Sequence, residues 1–166
     1  MSGNTFKTKK IVLGGLFAAL ITLVTYLAIR IPGGSGYIHL GDSVIFVAAF
    51  VLGGLGSAAA AAVGSALTDI ILGFAIYAPG TFVIKGLTAL VAAMLMKAFK
   101  PKLRILAILI ASLIIPIGYF AYELSFITTF EVAIVNIPFN LLQTTVGSIV
   151  GYALTIALEK TALKNS

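Results

Sequence analysis

The sequence predicts an all-α integral membrane protein: a single domain, 1–166, of six transmembrane helices with both termini in the cytoplasm. Three observations carry that expectation. Hydrophobic residues make up 60% of the 166 positions and charged residues 10%, against roughly 45–50% and 25% in soluble domains. The apolar residues fall in long runs, and a helix needs about 20 of them to cross the hydrocarbon core. Nine of the eleven lysines and arginines gather in three clusters: Lys7, Lys9 and Lys10; Lys97, Lys100, Lys102 and Arg104; Lys160 and Lys164. Cytoplasmic loops collect basic residues, so all three clusters belong on one side.

The first span is expected over 11–31. The lysines ahead of it imitate the start of a signal peptide. The apolar run is too long for one, however, and no small-residue cleavage site precedes Arg30, so a retained helix is expected. The run 44–72 is one long tilted helix or two short ones broken at Gly53–Gly54–Leu55–Gly56. Charge parity decides. A single helix would put the middle basic cluster outside, whereas two helices, 43–53 and 56–72, bring it inside. The remaining spans are expected over 80–97, 104–124 and 131–158. The net charge of +6 is then a matter of topology, and no nucleic-acid partner is expected.

The chain has no cysteine and one histidine. Disulfides and thiolate chemistry are excluded, and no metal site or cofactor is expected. No nucleotide-binding loop, H-E-x-x-H or nucleophile elbow occurs, so no catalytic role is expected.

In the six-span topology Arg30, His39, Asp42, Asp69, Lys85, Glu123 and Glu131 all fall at outer span ends or in outer loops. Five of the six tyrosines join them: Tyr26, Tyr37, Tyr77, Tyr119 and Tyr122. An aromatic belt alone would mark both interfaces, so this asymmetry points to an outward-facing polar and aromatic pocket. Thr81, Lys85 and Thr88 share a face of the fourth span. Lys85 either snorkels to the interface or meets Asp69 or a ligand in a polar cavity. Tyr119, Tyr122, Glu123 and Phe126 share a face of the fifth span. Asn136, Asn140, Gln143, Gly147 and Gly151 share a face of the sixth, where the amides either join helices or read a polar ligand. In "GYIHLGDS" (36–43), Pro32, Gly33, Gly34 and Gly36 make a pliable joint. Tyr37 and His39 are placed to close over a ligand. Asp42 is either the cap of the next helix or a ligand contact.

Small residues form a second system. Gly14, Gly15, Ala18, Ala19 and Thr22 give the first span a face that admits close helix approach. "GSAAAAAVGSA" does the same in the third.

With "GGLFAAL" in span 1, "LGD" and "DIILGFAIYAPGTFVIKG" through spans 2 to 4, and "IPFNLLQTTVGSIVG" in span 6, the whole chain resembles the S component, the substrate-binding subunit, of energy-coupling-factor (ECF) vitamin transporters. The resemblance is strongest to the branch associated with hydroxymethylpyrimidine or pyridoxine. It implies a non-catalytic subunit of an ABC-type importer in a prokaryotic plasma membrane. It also implies a vitamin bound on the extracellular side under outer loops, and partnership with a transmembrane T component and two ATPases. The family's A-x-x-x-A pattern, which meets the T component, has its place taken here by Gly14/Ala18 and Gly15/Ala19. The substrate-binding set expected is Tyr37, His39, Asp42, Asp69, Lys85, Tyr119, Glu123, Asn136, Asn140 and Gln143. The alternatives are a stand-alone carrier or channel and an intramembrane enzyme using Glu123, Glu131 and His39.

Overall fold

The structure, a computed structural model, describes residues 2–30 and 37–164. The helices are α1 (Ser2–Tyr26), α2 (Gly41–Leu52), α3 (Gly54–Ile71), α4 (Ala78–Ala98), α5 (Arg104–Ser112), α6 (Ile114–Phe126) and α7 (Phe130–Lys164). A 3-10 turn, Pro101–Leu103, leads into α5. Between α1 and α2 two short strands, β1 (Ile29–Arg30) and β2 (Tyr37–Ile38), pair antiparallel, with Ile29 opposite Ile38 and Arg30 opposite Tyr37.

Among the described residues five segments are long and apolar enough to cross a membrane, α5 and α6 together making one of them. The helix α2 is different. Its 12 residues rise only about 18 Å, less than the ~30 Å hydrocarbon thickness. Gly41 to Ala49 are all buried, as expected of a helix that is apolar all round and packed on every side. It lies at the centre, against α1, α3, α4 and α7. Phe46 and Ala49 meet Ala92, Met96, Ala107 and Ile108 in one core cluster; Val44 and Ile45 meet Ile21, Ala60 and Ala89 in another.

The break between α2 and α3 falls at Gly53 and Gly54, with φ of 65° and 28°. These values suit glycine and strain any residue with a Cβ, which is why the apolar run 44–72 turns back here. Small residues set the helix spacing elsewhere. A Cβ on Gly64 would sit 2.5 Å from the Ala18 carbonyl oxygen, and one on Gly147 would sit 2.9 Å from the Asp42 Cβ. Thus α1 rides on α3 and α7 on α2 at nearly backbone contact.

Three sequence boundaries shift. The first helix ends at Tyr26, not 31, because the chain enters β1 to pair with the strand that carries Tyr37. The segment expected as one span over 104–124 is α5 and α6, divided at Leu113. Pro116 has no N–H to give the Ser112 carbonyl, and its ring crowds that carbonyl. The last helix runs on to Lys164 through Pro138. The joint at Pro32, Gly33, Gly34 and Gly36 lies outside the described residues. At the end of the bundle where α5 begins, Arg104 makes a two-pronged contact with Glu159 at 2.8 and 3.3 Å and stacks on Phe50, tying α5 to α7.

Candidate ligand cavity at one end of the bundle

A cavity of about 40 Å³ opens at the other end. It is lined by Tyr37 and His39 from the hairpin, Asp69 at the end of α3, and Phe74 and Tyr77 from the turn into α4. Thr81 of α4, Tyr119 and Glu123 of α6, and Asn136, Asn140 and Gln143 of α7 complete it. Five elements converge because the turn 72–77 folds inward. Gly73, at φ 83°, reverses the chain, and the Phe74 amide bonds the Asp69 carbonyl at 2.7 Å.

The aromatic rings form a continuous wall. Centroids lie 5.5 Å apart for Tyr37–His39, 5.2 Å for Tyr37–Phe74, 6.3 Å for Phe74–Tyr77 and 6.4 Å for Tyr77–Tyr119, tilted as quadrupoles prefer. Each tyrosine hydroxyl along this wall has a partner. The Tyr37 hydroxyl donates to Asp69 Oδ1, and the Tyr77 hydroxyl to Glu123 Oε1 at 3.2 Å. The Tyr119 and Thr81 hydroxyls bond each other at 2.9 Å. Asn136 Nδ2 donates to Glu123 Oε2 at 3.1 Å. Two buried acceptors remain without a hydrogen bond: Asp69 Oδ2 and Asn136 Oδ1.

Eight of the ten residues expected to bind substrate line this cavity: Tyr37, His39, Asp69, Tyr119, Glu123, Asn136, Asn140 and Gln143. Asp42 and Lys85 do not. Lys85 Nζ bonds Asp42 Oδ1, both side chains being buried, and Gln143 Nε2 donates to Asp42 Oδ2 at 2.9 Å. Lys85 neither snorkels nor meets Asp69. Nor is Asp42 a cap, since Leu40 holds that position and makes no side-chain bond. The reason is packing. Because α2 runs between α4 and α7, Asp42 in its first turn faces Lys85 inside the apolar bundle, and a buried charge needs a counter-charge there. Gln143 Oε1 also accepts the His39 amide at 3.2 Å, so the ion pair anchors the segment that carries Tyr37 and His39. The amide stripe of α7 is therefore divided in role. Gln143 joins elements and borders the cavity, Asn136 joins α7 to α6, and Asn140 is half-buried at the cavity wall.

Phe74, Tyr77 and Thr81 complete the lining. Tyr77 and Thr81 carry weak sequence signals, as an outer tyrosine and as a neighbour of Lys85 along one helical face. Phe74 has none beyond its place beside a turn glycine. Tyr122, on the face expected to flank Glu123, packs elsewhere: its hydroxyl donates to the Ile76 carbonyl at 2.8 Å. The intramembrane-enzyme constellation is not assembled, since Glu131 is exposed at the start of α7 and is not among the cavity-lining residues.

The small face of α1 is also divided. The Thr22 hydroxyl donates to the Ala18 and Gly64 carbonyls at 3.0 and 2.9 Å, so Thr22 and Ala18 pack on α3. Gly15 and Ala19 are exposed, and a Cβ on Gly14 or Gly15 would meet nothing within 4 Å. Around them Ile11, Val12, Leu16, Leu20 and Leu23 are also exposed.

His39 Nδ1 accepts the Gly41 amide at 3.0 Å, so the ring carries its proton on Nε2. Burial pushes the imidazole down to about 4; Asp42 pulls it up and Lys85 pushes it down. A lowered folded-state pKa means that the unfolded chain takes up the proton first as pH falls. His39 should therefore leave stability unchanged above pH ~6.5, reduce it as pH falls from there to about 4, and add no further slope below. Melting curves in detergent across that window should be steeper for the native protein than for His39→Gln. Equal slopes would mean that folding leaves the proton affinity of the ring unchanged.

Three comparisons with known proteins bear on this site. The family described as "ECF-type riboflavin transporter, S component" matches residues 5–160. A solved structure described as "Structure and mechanism of the S component of a bacterial ECF transporter" superposes with a TM-score of 0.79. It covers 94% of this chain and 98% of that one at 19% identity, a likeness of fold. An "Uncharacterized protein in gap 3'region" from Pyrococcus woesei is 43% identical over 67 residues, 40% of this chain and 45% of that relative.

Proposed function

As the chain belongs to the family of S components of ECF-type riboflavin transporters, we propose that it is the substrate-capture subunit of an ECF-type ABC importer. It takes a small water-soluble heteroaromatic vitamin or precursor from outside the cell. It does no chemistry on its ligand; a transmembrane T component and two ATPases supply assembly and ATP hydrolysis. It crosses the plasma membrane six times with both termini inside, the short α2 making its passage enclosed by the other helices, which sets the three basic clusters in the cytoplasm and the cavity outside.

The observation that carries this reading is the cavity itself. Aromatic faces supply contact area, and a few directed polar groups supply orientation, as small-molecule sites do. Pyridoxine and hydroxymethylpyrimidine are the favoured ligands. The free space is about 40 Å³, whereas a benzene ring occupies an engineered cavity of roughly 150 Å³. Any ring must push the walls apart, and one ring asks for less movement than three. Riboflavin is the second reading, favoured by the description of the matching family.

Titration of the purified protein with pyridoxine, hydroxymethylpyrimidine and riboflavin tests this, together with a mass spectrum of any co-purifying molecule. One of the three should bind saturably. Asn140→Ala should weaken it about 5- to 150-fold, the loss of one hydrogen-bonding partner, with the elution profile unchanged. If none binds and nothing heteroaromatic co-purifies, the reading fails.

A further inference from the structure

The polar groups around the cavity are not balanced in charge. Two carboxylates line it, Asp69 and Glu123, and among the described residues no lysine or arginine does. The nearby cation, Lys85, is committed to Asp42. The imidazole of His39 spends Nδ1 as an acceptor, which leaves one N–H and no charge.

The hydrogen bonding is unbalanced in the same direction. Asp69 is 3% exposed and Asn136 2%, yet Asp69 Oδ2 and Asn136 Oδ1 have no partner. The orientation of the Asn136 amide is fixed: its nitrogen donates to Glu123, and a carboxylate can only accept, so the oxygen is the free end. An unsatisfied buried acceptor is costly, and two at one cavity wall are a demand for donors.

Building on the capture reading above, we infer that the cavity selects the unphosphorylated form of its ligand: a neutral or cationic ring whose N–H or O–H groups satisfy Asp69 and Asn136. The corresponding phosphate monoester is rejected. A phosphate brings negative charge and only acceptors to a wall that already holds two carboxylates and two free acceptor atoms. It finds no lysine or arginine among the described lining residues, and like charges in a weakly screened site repel strongly. Asp69 is the principal specificity-determining residue, because it lines the cavity and its buried Oδ2 has no hydrogen-bond partner.

The test pairs each free vitamin with its phosphate: pyridoxine with pyridoxine 5′-phosphate, hydroxymethylpyrimidine with its phosphate, and riboflavin with riboflavin 5′-phosphate. Affinities are measured on the purified full-length protein. For the vitamin that binds, the phosphate should bind on the order of 100-fold more weakly or worse. Asp69→Asn keeps the shape and removes the charge. It should weaken the free vitamin at least several-fold and narrow the discrimination against the phosphate. Glu123→Gln, which tests charge from α6 independently of how Asp69→Asn folds, should also narrow it. Equal affinity for vitamin and phosphate would overturn the inference and leave the capture reading standing. So would discrimination that survives both substitutions unchanged. If no free vitamin binds, the capture reading falls and this inference with it.

Discussion

Lys85→Ala should destabilise the protein by about 3–5 kcal/mol, the cost of leaving one buried charge without its partner. The Asp42 carboxylate is fully buried and would keep only the Gln143 amide. Asp42→Ala should be as damaging, since it strands an ammonium beneath the Tyr119 ring, 5.5 Å from its centroid. The pair Asp42→Asn with Lys85→Met should recover much of the loss, because apolar or neutral replacement of both partners removes the uncompensated charge. Thermal melts of Asp42→Asn, of Lys85→Met and of the two combined, in one detergent, form the cycle. If the double variant loses as much as the singles add up to, the two residues are not each other's partners. Any fall in ligand affinity in these variants should follow from the loosening of Gln143 and His39, which the ion pair anchors, because Lys85 itself does not line the cavity.

Ala19→Trp should abolish assembly with the T component and vitamin uptake, while the isolated protein binds its ligand as before. Ala19 stands on the exposed side of α1 amid Leu16, Leu20 and Leu23, and a large side chain there would block a partner helix without touching the subunit's own packing. Ala18→Trp should behave differently. The Ala18 backbone lies against Gly64, so the change should lower stability and yield as well as assembly. Co-purification with the T component, ligand titration and melting temperature separate the two outcomes. Loss of binding in Ala19→Trp with assembly intact would return this face to the internal pack.

The membrane class, the break within the run 44–72 and most of the cavity wall were legible in the order of the residues. These rest on strong one-dimensional signals. Hydrocarbon tolerates few charges, so composition and basic clusters outline the spans. Helical periodicity placed Asn136, Asn140 and Gln143 on one stripe, and the excess of outer tyrosines marked the end of the bundle where the cavity lies. Which polar residues satisfy one another was not legible there and followed from how the helices pack. Asp42 and Asp69 look alike in the sequence, each an acid near the end of an apolar run. The burial of α2 on all sides turns Asp42 toward Lys85, while Asp69, at the end of α3, keeps an oxygen free at the cavity wall. Phe74 reaches the cavity through the fold of a turn, and α1 divides its small residues between α3 and the outside because only one side of it packs on α3. Pairing between elements far apart in the chain has no periodicity to betray it. It follows from which faces the packed helices turn toward one another.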